Sequence, residues 1–302
     1  MGAFVSLNDN IDLSVLTSYI DWSPFFRVWD LPGSYPDILN DNAHGETARK
    51  VFEDGQKMLE KLIRGKWLTA NATIALMPAN SVNDDDIEIY TDETRSNVAF
   101  TYYGVRQQME KPVVGGVSRP NQSLADFIAP KSSGIRDYIG MFGVTTGIGI
   151  ERRLEEFDAA RNDYDSIMLK ALADRLVEAL AEYLHELVRK DLWGYAPNEH
   201  FTNEQLQKEL YSGIRPAPGY PSCPEHTVKS DLFRILRCEE IGMSLTESYA
   251  MLPTASITGF YFAHPDARYF TIGKIGKDQV ADMAKRRHVN EEKIAQWLAP
   301  VL

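Results

Sequence analysis

Residues 138–151 read YIGMFGVTTGIGIE: a run of β-branched and aromatic residues, then glycines at 143, 147 and 149, then the onset of a helical pattern. Two folds compete for such a stretch. If it opened a βαβ unit, the glycines would cradle a phosphate at a helix N-terminus, and an acidic residue would follow about twenty positions on, at the end of a second strand. A long helical pattern follows instead, DSIMLKALADRLVEALAEYLHELVRK at 165–190, with Leu169, Leu172, Leu176, Leu180, Leu184 and Leu187 spaced by three and four. The glycines are therefore expected to form a plain turn.

Three further strand-like runs precede this stretch: ATIALMPA (72–79), DIEIYTD (86–92) and NVAFTYYGVR (97–106), separated by Asn, Asp and Gly. Before them, GETARKVFEDGQKMLEKLIRG (45–65) reads as an amphipathic helix with Val51, Met58, Leu59 and Leu62 on one side. Beyond the leucine helix, SDLFRILRCEEIG (230–242) predicts a helix and ITGFYFAHPDARYFTIGKI (257–275) a strand, turn and strand. KDQVADMAKRRH (277–288) and NEEKIAQWL (290–298) predict two closing helices. EKPVVGGVSRPNQS (110–123) lacks periodicity and reads as a surface excursion. Without regular βαβ alternation the expected class is α+β: a mostly antiparallel twisted sheet with flanking helices, not a Rossmann-type fold.

A chain of 302 residues buries roughly three quarters of its unfolded surface, enough for a core without disulfides or metals. Hydrophobic residues make up 44% and charged residues 25%, and no run approaches the ~20 apolar residues of a membrane span, so a soluble protein with no membrane partner is expected. The start, MGAFVS, fits a myristoylation pattern at Gly2 and Ser6, but no polybasic patch follows to complete an anchor. A net charge of −11 opposes nucleic-acid binding. The one basic cluster, AKRRH at 284–288, is expected on a solvated helix face. Two cysteines, Cys223 and Cys238, form no disulfide framework, which points to a reducing, cytoplasmic setting.

Catalytic chemistry finds little support. The six histidines, His44, His185, His200, His226, His264 and His288, show no metal spacing, and HELVR from His185 lacks the second histidine of a zinc helix. No nucleophile elbow or based cysteine is present, so neither a catalytic residue nor a metal site is assigned.

The stretch RPAPGYPSCPEHT (215–227) holds four prolines in thirteen residues. Each fixes its own φ and pushes the preceding residue toward extended geometry, which leaves the Ala217 carbonyl without a regular ladder partner. Ala217-Pro218-Gly219-Tyr220 suits a type II turn, with Gly219 at the position needing positive φ, close backbone approach at Gly219, and Tyr220 aimed outward. Arg215 offers a bidentate donor for a carboxylate or phosphate, and Tyr220 an aromatic face for a cation. The same residues equally allow a stiff surface loop with Arg215 solvated.

With its surroundings, the chain resembles the C-terminal reactivation domain of cobalamin-dependent methionine synthase. The resemblance runs through YIDWSPFF, MPAN, DDIEIYTDETR, RQQ, LADFIAPK, DYIG, KALADRLVEALAEYLHE, WGYAPNE, GIRPAPGYPSCPEHT, LTES and YFAHPDARYF, in that order over nearly all of the chain. PVVGGVSRPNQ is longer than the family pattern and lies away from these motifs.

The resemblance implies one S-adenosylmethionine-binding module over 1–302, with the ligand held by the RxxxGY signature at Arg215, Gly219 and Tyr220 and by the Ala217 backbone. It also implies contacts from Asp21, Glu178, Tyr269 and Phe270. Cobalamin would sit on a separate domain of the same enzyme, and flavodoxin or a related reductase would supply an electron for remethylating cob(II)alamin. The chain alone would bind the ligand without turnover. Read from the residues alone, Asp21 also suits a helix cap, Glu178 a solvated face and Tyr269 sheet packing. Two rival functions are a free-standing S-adenosylmethionine-dependent methyltransferase using GVTTGIGIE, and a protein-docking module without a small ligand.

Overall fold

The structure, a computed structural model, describes residues 3–7, 11–111, 113–115 and 117–302; Gly2 lies outside them. The centre is β2 (Thr69–Val82), paired along one edge with β7 (Asp137–Ile148), Ala72 opposite Val144 and Ala79 opposite Asp137. The other edge of β2 is shared. β1 (Ala3–Leu7) pairs with Ala72 to Leu76, and β3 (Asp86–Tyr90) pairs with Ala79 to Val82. β4 (Val98–Tyr103) extends the sheet past β3, and β10 (Ser256–Tyr261) extends it past β7, with every pair in this sheet antiparallel. Two small hairpins, β5 (Val113–Val114) with β6 (Val117–Ser118) and β8 (Ser244–Leu245) with β9 (Met251–Leu252), stand apart.

Alternation of side chains across the strands gives the sheet two buried faces. Ala72, Ile74, Phe142 and Val144 face one core together with α3 (Gly45–Arg64) and α5 (Asp163–Leu187). Leu169, Leu172, Leu176, Leu180 and Leu184 are fully buried there, while Leu187, at the helix end, is half-buried. Near the start of the chain lie α1 (Leu13–Leu16) and, within YIDWSPFF, the beginning of α2 (Ser23–Arg27), and Trp22 meets Phe25 and Phe52 edge-on within this core. Beyond α5 comes the short α6 (Asn203–Gln207), and Ala75, Ala79, Ile139 and Met141 face the second core, under α7 (Lys229–Leu236). A third, smaller core joins Ile272 to α8 (Lys277–Arg287) and α9 (Glu291–Trp297).

The glycine stretch is a packing turn. β7 runs through Ile148, Gly149 turns at φ +92°, and α4 (Ile150–Ala159) precedes α5. A Cβ on Gly149 would meet the Trp67 carbonyl at 2.9 Å, and one on Gly147 would meet Pro253 at 2.5 Å.

Three expectations are corrected. The helix over 230–242 stops at Leu236, where Arg237 adopts φ 51° and Cys238–Ile241 forms a separate 3-10 turn. The break leaves the Leu236 carbonyl to accept from Thr73 Oγ1 at 2.9 Å and lets Cys238 pack against Gly143. The second strand expected within 257–275 does not form, because its amides are used elsewhere: Ile272 N–H donates to the Pro221 carbonyl and Ile275 N–H to that of Val301, both at 2.9 Å. The basic cluster is not simply solvated. Arg286 is drawn onto buried Asp86, and Arg287 donates to Glu225 and lies 4.5 Å from the Trp297 ring centroid, leaving Lys285 exposed.

Candidate functional site

The proline-rich stretch is laid along the continuation of β10. Ile214 and Phe262 exchange both backbone hydrogen bonds at 3.0 Å, and Phe260 N–H donates to the Pro216 carbonyl at 2.9 Å. The chain then folds back, with Tyr220 N–H donating to the Ala217 carbonyl at 3.0 Å and Gly219 at φ +98°, the sign a type II turn demands at its third residue. The Ala217 carbonyl is therefore the acceptor that closes the turn, not a free group. Gly219 is also closely approached, but by protein: a Cβ there would lie 2.4 Å from His226 Cε1.

Arg215, which starts this turn, is held from all sides. Its Nη2 donates to Glu182 Oε2 at 2.6 Å, and its Nη1 donates to the Tyr211 hydroxyl at 2.8 Å and to His185 Nδ1 at 3.2 Å. Its backbone N–H donates to the Tyr269 hydroxyl at 3.0 Å. Burial works against the guanidinium's charge, but the Tyr269 phenol and the Glu182 carboxylate against it outweigh burial and raise its pKa. Burial lowers the pKa of His185, with Arg215 and Arg189 adding to the effect. The neutral ring thus accepts from Arg215 at Nδ1 and donates from Nε2 to the Tyr195 hydroxyl at 3.2 Å. The Tyr211 hydroxyl accepts from Arg215 and shares a hydrogen bond with the Tyr269 hydroxyl, 3.2 Å away, in which either oxygen can donate.

Two cavities meet at Arg215. The larger, about 400 Å³, is lined by Glu178 of α5, by Arg215, Ala217 and Tyr220 of the turn, and by Tyr269 and Phe270 of the loop after β10. The smaller, about 310 Å³, is lined by Asp21, Tyr19, Arg175 and Asn203, and shares Glu178, Glu209 and Arg215 with the first. Seven of the eight residues singled out in the sequence thus converge, across 250 positions of chain, and Gly219 alone lines neither cavity. Asp21 combines two roles, since its Oδ1 accepts from Ser23 N–H at 2.9 Å at the start of α2. Tyr220 is exposed, as its turn requires, and its hydroxyl crosses to Glu178 Oε1 at 3.1 Å.

Glu182, Glu209 and Tyr211 belong to the site and were not singled out in the sequence. One signal was available: Glu178 and Glu182 stand four apart, on one face of a helix otherwise rich in Leu and Ala. Burial raises the pKa of Glu209, with Arg215 opposing and Glu182 adding. Among the described residues no cluster of His, Cys, Asp and Glu is arranged to hold a metal ion.

Joined cavities of these sizes, the larger mostly apolar and the smaller lined mainly by charged and polar groups, mark a small-molecule binding domain, here an α+β one whose ligand would meet both cations and carboxylates. The family profile described as "Vitamin B12 dependent methionine synthase, activation domain" matches residues 12–288. The chain belongs to that family. It is also similar to the crystal structure of the MetH reactivation domain bound to AdoHcy, with 48% identity and a TM-score of 0.89, covering 100% of this chain and 90% of that one. The α+β class expected from the sequence is that of this neighbour.

Proposed function

We propose that the joined cavities bind S-adenosylmethionine and present it for the remethylation of cob(II)alamin carried on another domain of methionine synthase. The observation that carries this reading is the charge pattern around Arg215. Asp21, Glu178, Glu182 and Glu209 surround Arg215 and Arg175, so the site has an anchor for a carboxylate and an excess of negative charge for a ligand that is cationic overall. AdoHcy in the related crystal structure supports the same ligand class.

In this reading Arg215 takes the ligand's carboxylate, Asp21 its ammonium group, and Glu178 with the ring of Tyr220 faces its sulfonium. Ala217, Tyr269 and Phe270 shape the wall, and Gly219 acts indirectly by allowing the turn. The ligand, when bound, supplies the methyl group. The protein's residues position and orient it, and none acts as acid, base or nucleophile. We read the described chain as a single module that binds without turning over. The cobalamin-binding domain of the same enzyme would be its partner, and flavodoxin or a related reductase would supply the electron.

No helix among the described residues is long and apolar enough to cross a membrane. The buried free thiols of Cys223 and Cys238 support a cytoplasmic setting. The rival methyltransferase reading loses support because Gly147 and Gly149 are filled by Pro253 and Trp67. Calorimetry of the chain with S-adenosylmethionine is expected to give saturable binding with one ligand per chain, and no heat at high ligand concentration with folded protein would overturn the proposal. A pure docking module would show no thermal stabilisation by the ligand.

A further inference from the structure

Beneath the cavity lies a row of buried charges that the reading above leaves unused. Arg189 is fully buried on the π-helical turn Val188–Leu192 that continues α5, a distortion that recurs at functional positions. Its Nε donates to Glu199 Oε2 at 2.8 Å, and its guanidinium carbon lies 4.3 Å from the centroid of the Tyr211 ring. Its Nη1 stands 3.9 Å from Glu182 Oε1, beyond hydrogen-bond reach. Neither Nη1 nor Nη2 of Arg189, nor Oε1 of Glu182, has a hydrogen-bond partner among the described residues. The other oxygen of Glu182 holds Arg215.

A buried guanidinium and a buried carboxylate that face each other with unmatched atoms carry a desolvation cost. A movement of Glu182 by about an ångström would match them. Meanwhile Glu182 sits on the Arg215 donor that a ligand carboxylate needs, and two carboxylates crowding one guanidinium repel. We infer that Glu182 is passed from Arg215 to Arg189 when a ligand carboxylate arrives, which makes Arg189 a positioning residue for a ligand it does not touch. The inference rests on the reading that Arg215 receives that carboxylate. Without Arg189, Glu182 loses the cation whose donors face its unmatched oxygen, and it competes with the ligand.

The test is calorimetry on the full chain with two probes: S-adenosylmethionine, and methylthioadenosine, which keeps the adenosine and the methylated sulfur, as an uncharged thioether, but lacks the chain that bears the carboxylate and ammonium. Arg189→Met is expected to weaken S-adenosylmethionine ten- to hundredfold, roughly the worth of a hydrogen bond to a charged group, and to change methylthioadenosine by no more than about twofold. Adding Glu182→Gln to Arg189→Met removes the competing charge and is expected to recover most of the lost affinity. Equal losses for both probes, an unchanged affinity for S-adenosylmethionine, or no recovery in the double variant would each overturn the inference. If the unaltered chain binds neither probe, it is the proposed function that fails. Should Arg189→Met not fold, a crystal structure of the unaltered chain with S-adenosylmethionine decides: Glu182 turned to Arg189 supports the transfer, and Glu182 still on Arg215 with the 3.9 Å gap overturns it.

Discussion

Two of the buried arginine–carboxylate clusters among the described residues are finished differently. Arg286 contacts Asp86, donates from Nε to Asp282 at 2.7 Å and from Nη2 to the Gly104 carbonyl at 3.2 Å, so each of its three nitrogens has a partner. In the Arg215–Glu182–Arg189 cluster, three buried atoms have no hydrogen-bond partner among the described residues. The matched cluster ties α8 to β3 across 200 positions. The unmatched one borders a cavity. Buried polar groups are nearly always satisfied, so an unmatched guanidinium facing an unmatched carboxylate beside a cavity calls for an explanation beyond folding.

The sharpest way to break this contrast is Arg286→Met. It leaves Asp86 buried and unpaired, and is expected to cost about 3–5 kcal/mol in denaturant unfolding, with ligand affinity unchanged in whatever fraction stays folded. Arg215→Met should do the reverse. Affinity for S-adenosylmethionine is expected to fall by about 2–5 kcal/mol in calorimetry, with a smaller loss of stability because Glu182 keeps Arg189 nearby. Equal stability losses in the two variants would erase the distinction between the clusters.

A titration sharpens it further. Burial, opposed by Arg286, raises the pKa of Asp86 from 3.8 to about 6. A carboxylic acid raised on folding binds its proton more readily in the folded state, so its contribution is fully present below the unfolded value and is lost as pH rises from 3.8 to about 6. Relative to Asp86→Asn, the unaltered chain should lose roughly 2–3 kcal/mol of stability between pH 4 and pH 7; a constant difference across that range would remove Asp86 from the account. The smallest expected effect is at the rim of the site. Tyr220→Phe removes the bond to Glu178 and should change ligand affinity by about 0.5–1.5 kcal/mol, and a larger change in calorimetry would mean that this hydroxyl meets the ligand directly.

What could be read in advance divides along the same line. Runs of β-branched and aromatic residues showed β2, β3, β4 and β7, and the leucine spacing showed α5, because the signal for a regular element lies within the element itself. The turn at 217–220 was legible for a similar reason, since Pro218 and Gly219 state their own dihedrals. Pairings were not legible. Nothing near Arg286 in sequence announces Asp86, nothing near Arg215 announces Glu182, and a carboxylate on a helix looks solvated until its neighbours are placed. The family resemblance supplied Asp21, Glu178, Tyr269 and Phe270, which residue chemistry alone left open as a cap, a solvated face and sheet packing. It did not supply Glu182 or Arg189, which support the site from beneath. The second strand expected after β10 failed because Ile272 and Ile275 give their amides to Pro221 and Val301, acceptors far away in the chain.

Those two amides have a mechanical consequence. The loop carrying Tyr269 and Phe270 is stitched at one point to the carbonyl of Pro221, just after the ligand turn, and at the next to Val301. One wall of the cavity is thereby suspended like a hammock between the proline-rich turn and the end of the last small core. A disturbance at Val301, such as a tag packed too close or a trimmed residue, would slacken that wall from one anchor. It would be felt as a weaker grip on the ligand by residues some thirty positions earlier in the chain.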